Sequence, residues 1–337
     1  MQKRCFVFVC LALRLTLLYA DAPLSCLLTA HAPAVARQGQ VVFVRLGIDD
    51  SCDGQSFRAQ LVYSDGSHSP QFSSYSPPQR RITHAERSML AAEFADHSLV
   101  RLGRSAFIPL GIGTETPVGT ATVLITREGQ ELTRTGLVIQ KRDFPSETLY
   151  LSPALTGIRV DPDPRKDEQA KRYQDVLASA DPNAAFLSQG FVFPLNGQRR
   201  TSFFGERRIY RYSTGGSARS IHAGVDYGYP TGTPVFAAGA GRVVMAENRI
   251  STGWTVIIEH LPGVFTVYMH LDGIDVALGQ VLERGQSLGR VGATGLATGP
   301  HLHWELRVGG VACDPEGFVG LDKVPDIRTM FGASEGG

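Results

Sequence analysis

Short runs rich in apolar and β-branched residues, separated by turn residues, recur along this chain, and one of them shows the two-residue period of a β-strand. The alternation runs through residues 57–63 and stops at the turn signal Ser64-Asp65-Gly66. Segments 119–126 and 132–140 flank a Gly-containing loop, a pattern typical of a hairpin. Several short strands with regular turn signals predict a mostly β fold, with an immunoglobulin-like β-sandwich domain over residues 23–145.

The period changes after residue 145. Apolar residues recur at helical spacing between Ala170 and Ala180, and Asp163-Pro164 supplies a capping acceptor and a proline for the first turn. The pattern predicts a linker over 146–190 with one helix that packs between two domains. An alternative is that the protein is made in an unprocessed form, in which the helix or the loop leading to Gly190 covers a functional groove.

From residue 191 onward the pattern is again that of strands. Gly, Pro and Asn separate the strand-like runs, and no segment suggests a long helix. The sequence therefore predicts a compact, largely antiparallel β domain over 191–320, followed by a tail at 321–337. The strand-like runs are residues 234–245, 255–260, 264–270 and 302–308.

Length and charge narrow the class of protein. A chain of 337 residues is long enough for two domains, each with its own core. The 33 basic and 32 acidic residues give a net charge of +1, so nucleic acid is not an expected partner. An apolar content of 43% and a charged content of 19% are ordinary for a soluble globular protein.

The N-terminus resembles an export signal. It has a positive start, an apolar run over residues 5–13 and a small-x-small site at residues 20–22. The expectation is a signal peptide over 1–22 and a mature chain in the periplasm or cell envelope. Arg14 interrupts the apolar run and Pro23 follows the cleavage point, so an uncleaved membrane anchor stays open as the alternative.

Three cysteines remain beyond the predicted signal. Leu24-Ser25-Cys26 can be interpreted as a loose lipoprotein box. A Cys26–Cys52 disulfide suits an oxidising compartment, and buried free thiols are the alternative. No Cys-x-x-Cys spacing is present, which argues against a thiolate metal site.

Five residues in the C-terminal region form a pattern that suits zinc. His301 and His303 are two residues apart in a strand, so both imidazoles project from one face. His222 and Asp226 also share a face if their segment is extended, and Gly224 between them leaves that face open to a metal. Zinc binds imidazole and carboxylate, and a catalytic site keeps a fourth position for water. Either pair alone is more often structural.

The fifth residue is His270, which ends a strand next to the predicted turn Leu271-Asp272-Gly273 and can reach a cleft from there. His260, at a strand end before Pro262, is expected to be an exposed turn histidine. The histidines of the first half are scattered and are expected to be structural or at the surface. They are His31, His68, His84 and His97.

Taken together, these segments resemble the lysostaphin-type (LytM-like) zinc metallopeptidases, which cut peptide crosslinks in bacterial peptidoglycan. The resemblance covers roughly residues 191–318. The matching segments are Phe204-Gly205-Glu206-Arg207, residues 222–226, Gly232-Thr233-Pro234-Val235, Tyr268-Met269-His270-Leu271, residues 289–295 and residues 298–305.

The resemblance implies a role for each of the five residues. His222, Asp226 and His303 become the ligands of one Zn²⁺ per chain, and His301 and His270 become the catalytic pair that handles protons. It implies a secreted zinc metalloendopeptidase that hydrolyses peptidoglycan peptide. The bond that is cut stays open, and so does a tyrosine donor among Tyr210, Tyr212 and Tyr227. Arg207, Arg208 and Tyr268 are expected to be structural or at the substrate edge.

Two other functions stay open at this stage. One is a catalytically silent, wall-binding regulator of the same fold that activates a cell-wall amidase. The other is an adhesin or scaffold in which the N-terminal half is the working part. Intact metal ligands argue against the silent regulator, because such relatives have lost these residues.

Overall fold

The structure is a computed structural model that describes residues 27–48, 56–75, 104–187 and 190–320. Several features predicted from the sequence lie outside these ranges. They are the signal peptide at 1–22, the lipoprotein box, the Cys26–Cys52 pair, His84, His97 and the tail at 321–337.

Two β-sheets with a shared apolar interior form the N-terminal domain. One sheet has the order β1-β3-β6 and the other the order β2-β8-β7-β4-β5. The predicted alternation is seen in the second sheet, where Ala59 and Leu61 are buried from one strand and Val123 and Ile125 from the next. The strands are β1 Leu27–His31, β2 Val35–Arg37, β3 Val41–Ile48, β4 Arg58–Tyr63, β5 Phe72–Ser73, β6 Arg104–Gly111, β7 Gly119–Arg127 and β8 Gln130–Gln140. This agrees with a β-sandwich, and the immunoglobulin type stays a prediction.

The predicted hairpin is present between β7 and β8, with a shorter loop than its sequence suggested. Only Glu128 and Gly129 lie between the strands, and both have positive φ, at 50° and 83°. Two central residues of positive φ match the right-handed twist of paired strands. Glycine reaches this conformation without strain, so the turn depends on Gly129.

The linker differs from its prediction of one helix. It holds a strand, β9 (Ser146–Tyr150), and two helices, α1 (Pro153–Val160) and α2 (Pro164–Ala178). The start of α2 is as predicted, because Asp163 caps it by accepting a hydrogen bond from the Arg165 backbone N–H at 2.9 Å. The shorter α1 was missed because its eight residues, which include Gly157, are fewer than the window over which a helical period is recognised.

The C-terminal domain is built on one large antiparallel sheet, as predicted. Its main path runs β10-β13-β20-β17-β16-β15-β18, and β14, β19 and β21 attach to it. The strands are β10 Arg200–Ser202, β11 Arg207–Arg211, β12 Ser217–Ile221, β13 Val225–Tyr227, β14 Pro234–Phe236, β15 Gly241–Arg249, β16 Gly253–Leu261, β17 Val264–Ile274, β18 Val281–Leu282, β19 Ser287–Val291, β20 Leu302–Val308 and β21 Val311–Cys313. A 3-10 turn follows at Pro315–Phe318.

A smaller sheet joins the linker to this domain. Strand β11 pairs antiparallel with β12 on one side and parallel with β9 on the other. The linker is therefore part of the C-terminal fold, because its first strand completes one of that domain's sheets.

Helix α2 covers one face of the large sheet. Tyr173 and Leu177 of the helix pack in a cluster with sheet residues that include Phe265, Val267 and Met269. The opposite face of the sheet contributes to a core that is continuous with that of the N-terminal domain. Neither helix in the described part of the chain has the length and apolar character that a membrane crossing needs.

The two domains are also held by polar contacts. Arg142 forms an ion pair with Asp314 at 2.8 Å, and the Asp314 backbone N–H donates to the Gly39 carbonyl at 2.7 Å. Cys313, beside this contact, is a buried free thiol.

His260 is not the exposed turn residue that its position suggested. It is fully buried, and its ring nitrogens lie 2.7 Å from the Ala240 carbonyl oxygen and 2.7 Å from Thr266 Oγ1. Strand β16 continues through this residue to Leu261, so the imidazole points into the core. Burial lowers the pKa of His260 from 6.5 to about 4, against the smaller opposing effect of the Ala240 hydrogen bond.

Replacing His260 with Asn should make stability less dependent on pH. Between about pH 6.5 and 4 the unfolded chain protonates this residue and the folded chain does not, so acid removes up to about 3 kcal/mol from the free energy of unfolding. Denaturant unfolding of both proteins between pH 4.5 and 7.5 measures the difference. Parallel curves for wild type and His260→Asn would contradict this assignment.

Candidate metal centre

The centre begins with the pairing of two strands. In the antiparallel register of β13 and β20, Asp226 lies directly opposite His303. Residues opposite each other in such a pair project from the same face with neighbouring Cβ atoms. The sheet therefore brings together two residues that are 77 positions apart in the chain.

His222 reaches the same point from the end of β12. Gly224 follows it, and a Cβ atom there would lie 2.2 Å from the Trp304 carbonyl oxygen. The role proposed for Gly224 from the sequence, leaving a face open to metal, is therefore wrong. Its missing side chain lets this segment pass close to the backbone of β20, which brings His222 beside Asp226 and His303.

Three ligand atoms converge in this way. His222 Nε2 lies 3.0 Å from Asp226 Oδ1 and 2.9 Å from His303 Nδ1, and His303 Nδ1 lies 2.8 Å from Asp226 Oδ1. All three side chains are buried. Zinc binds nitrogen and oxygen at about 2.0–2.2 Å, so three atoms this close together fit around one ion.

The outer atom of each of the three residues has its own partner. The Nδ1–H of His222 donates to the Phe203 carbonyl at 2.8 Å, and the Nε2–H of His303 donates to Glu305 Oε1 at 2.8 Å. Arg208 donates to Asp226 Oδ2 at 2.8 Å. Partners of this kind fix the tautomer and orientation of a metal ligand.

These contacts make the three residues a good fit for zinc. Two imidazoles and one carboxylate form a donor set that is typical of catalytic zinc sites with a fourth position open. The partnered outer atoms leave His222 Nε2, His303 Nδ1 and Asp226 Oδ1 as the ligand atoms.

His270 approaches through an irregular stretch of strand rather than from a rim. Strand β17 continues through the predicted turn at 271–273 as far as Ile274. The register between β16 and β17 shifts next to His270, whose φ is 62°. A bulge of this kind can re-aim a side chain, and a non-glycine residue of positive φ often marks a functional position.

His270 and His301 form a second pair beside the ligands. Their ring centroids are 4.8 Å apart. The Nδ1–H of His270 donates to the Thr294 carbonyl and that of His301 to the Gly299 carbonyl, each at 2.8 Å. His301 Nε2 then lies 3.8 Å from Asp226 Oδ1, at the edge of the ligand cluster.

Burial and charge set the protonation of the buried groups. Burial, followed by the nearby His301 and His303, lowers the pKa of His270 to about 3, so this imidazole is neutral. For His303 burial acts in the same direction, but Asp226 and Glu305 outweigh it and raise the pKa to about 9. Burial alone would raise the pKa of Asp226. The imidazoles of His222 and His303 outweigh this effect and hold the pKa well below its usual range.

The structure thus brings together all five residues chosen from the sequence. It also adds supports that sequence reasoning gave no specific role, namely Glu305, Arg208 and the Thr294 carbonyl. Glu305 had a detectable signal, because it continues the two-residue spacing of His301 and His303 along one strand face. Arg208 was expected only to be structural or at the substrate edge.

The three candidate tyrosines differ in the residues that they contact. Tyr227 donates its hydroxyl to Glu316 at 2.6 Å, and Arg159 donates to the Tyr212 hydroxyl at 3.3 Å. Burial lowers the pKa of Arg208, the residue that holds Asp226, but Asp226 and Tyr210 outweigh burial and raise it. Among the three, Tyr210 is linked to the centre through this arginine.

Comparison with known proteins places this geometry in a family. Residues 220–315 match Peptidase family M23. The segment that carries all five residues of the centre therefore matches a metallopeptidase family, and the resemblance to lysostaphin-type peptidases is confirmed.

Curated relatives match part of the chain. The chain is 40% identical over 132 residues to the peptidoglycan DD-endopeptidase ShyA of Vibrio cholerae, covering 39% of this chain and 30% of that protein. It is 42% identical over 95 residues to the DD-carboxypeptidase/endopeptidase Mpg of Neisseria meningitidis, covering 28% and 22%. The chain thus spans less than a third of the length of these two curated relatives.

One solved structure resembles much more of the chain. A Pseudomonas aeruginosa protein described as a peptidase M23 superposes with a TM-score of 0.53 at 23% identity, covering 85% of this chain and 95% of that one. The shared fold therefore extends well beyond residues 220–315.

The ligand assignment predicts which substitutions release zinc. His222→Ala, Asp226→Ala and His303→Ala should each lose the one zinc per chain expected for the wild type, because each removes a ligand atom. His270→Ala should keep it. Metal analysis of the purified variants by mass spectrometry measures this, and equal loss in all four would contradict the assignment.

Zinc affinity should also rise with pH. In the metal-free protein His303 holds a proton up to about pH 9, and zinc must displace this proton. The affinity should therefore increase by up to about tenfold per pH unit between pH 6.5 and 8.5, because one proton is released. Competition with a chelator at several pH values gives the slope, and a pH-independent affinity would rule out a protonated His303.

Proposed function

We propose that this protein is an exported zinc metalloendopeptidase that hydrolyses peptide crosslinks of bacterial peptidoglycan. The observation that carries the proposal is the convergence of His222, Asp226 and His303 beside the imidazole pair His270 and His301, within the M23 segment. A metal-holding role alone would need the first three residues and would not require the second pair.

Zinc held by His222, Asp226 and His303 would supply a Lewis acid that polarises a carbonyl and lowers the pKa of water to about 7. His270 is neutral and its Nδ1–H is committed to Thr294, so its Nε2 can only accept a hydrogen bond. It is therefore suited to orient the attacking water.

His301 is suited to move the proton. Its Nδ1–H is held by the Gly299 carbonyl, so Nε2 faces the ligand cluster 3.8 Å from Asp226 Oδ1. From there the imidazole can take a proton from the attacking water and, as imidazolium, deliver it to the leaving amine.

The relatives support a peptidoglycan substrate. ShyA is named a peptidoglycan DD-endopeptidase and Mpg a DD-carboxypeptidase/endopeptidase. We extend the DD-endopeptidase activity to this chain, with removal of a terminal residue as a second reaction to be tested. Action on this polymer agrees with export by the predicted signal at residues 1–22 and with a location in the periplasm or cell envelope.

His301→Ala should abolish crosslink cleavage while zinc stays bound. Loss of one proton-transferring residue typically costs about 10²–10⁴-fold in rate. Mass spectrometry of muropeptides released from defined peptidoglycans measures cleavage and identifies the bond. His68→Ala, at an exposed histidine of the N-terminal domain, is the matched control and should cleave as the wild type does.

Unchanged cleavage in His301→Ala would contradict the role of His301. Unchanged biological activity in a variant that no longer cleaves would contradict the enzymatic proposal. That result would favour the silent regulator or the adhesin. A wild-type chain that binds zinc but releases no muropeptide from any tested peptidoglycan would favour the regulator.

A further inference from the structure

Helix α2 of the linker reaches the metal centre through a buried chain of hydrogen bonds. The Tyr173 hydroxyl donates to Glu305 Oε2 at 2.9 Å, and the other carboxylate oxygen of Glu305 accepts from His303 Nε2 at 2.8 Å. Tyr173 and Glu305 are 132 residues apart in the chain. All three side chains are buried.

We propose that Tyr173 is a positioning residue for the zinc ligand His303, and that the docking of helix α2 sets the metal affinity of the centre. Tyr173 acts on the metal only through Glu305, so it is not a catalytic residue. The inference rests on the proposed zinc site but not on the identity of the substrate.

The geometry around Glu305 shows why the hydroxyl matters. Oε2 has two donors, the Tyr173 hydroxyl at 2.9 Å and Arg307 Nε at 2.7 Å, while Oε1 accepts from His303 Nε2. A carboxylate held on both oxygens has one orientation. It therefore holds the His303 ring with Nδ1 directed at Asp226 and His222. Loss of a donor would let Glu305 turn and loosen the ring.

The tyrosine is itself clamped in place. Arg249 lies over its ring, 4.6 Å from the centroid, and also donates to the Gln169 carbonyl of the same helix at 3.1 Å. The Gln169 side chain in turn accepts from the Ile250 backbone N–H at 2.9 Å. These contacts tie α2 to the end of strand β15, so the hydroxyl position depends on the docked helix.

The test measures zinc affinity in the full-length chain by competition with a chelator. Removing a direct partner of a metal ligand typically weakens binding about 10–100-fold, which is expected for Glu305→Gln. Tyr173→Phe removes only the hydroxyl oxygen, which reaches His303 through Glu305 rather than directly. It should weaken zinc binding by roughly three- to tenfold. Tyr75→Phe is the matched control, since that hydroxyl is buried and no hydrogen-bond partner for it lies among the described residues; its affinity should equal the wild type.

The double variant Tyr173→Phe/Glu305→Gln tests the route. If Tyr173 acts through Glu305, adding Tyr173→Phe to Glu305→Gln should weaken binding by less than about twofold, because coupled residues are not additive. Far-UV circular dichroism of the metal-free variants verifies that each is folded.

Two results would overturn the inference. One is a Tyr173→Phe affinity equal to that of the wild type and of Tyr75→Phe. The other is an additive loss in the double variant, which would mean that the tyrosine acts by another route. A wild-type chain that binds no zinc would overturn this inference together with the zinc site, whereas a zinc-binding chain without peptidase activity would overturn the proposed function alone.

Discussion

The antiparallel pairing of β13 with β20 is the constraint on which the centre depends. It places Asp226 opposite His303, and the close passage of Gly224 against the Trp304 backbone brings His222 to the same point. A slip of this register by one residue would send one side chain to the other face of the sheet. The positions of the three ligand residues are thus set by the pairing of backbone segments.

Burying so many ionisable groups would be unfavourable without partners. Asp226 is matched by Arg208, which also contacts Glu206, and Glu305 is matched by Arg307. An unpaired buried charge costs several kcal/mol, so the support residues are needed for stability as well as for orientation. The same charges hold the metal ligands and keep the interior electrically balanced.

Local patterns were enough to predict some features and not others. The strand period, the hairpin near Gly129 and the cap at Asp163 are short-range features and were found. The five residues of the candidate centre were selected by residue type and spacing, and the structure brings them together. The irregular strand at His270 and the burial of His260 depend on where β16 and β17 extend, which is decided by tertiary pairing. The contact from Tyr173 to Glu305 spans 132 residues and has no local signature.

The linker strand β9 has a consequence for any attempt to isolate the C-terminal domain. Residues 220–315 are the part that matches the M23 family, but the physical unit is larger. A fragment that starts at residue 191 would leave β11 as an open sheet edge and would uncover the apolar surface around Phe265 and Met269. Open edges and large apolar patches promote self-association. An autonomous, soluble catalytic fragment should therefore begin before Ser146.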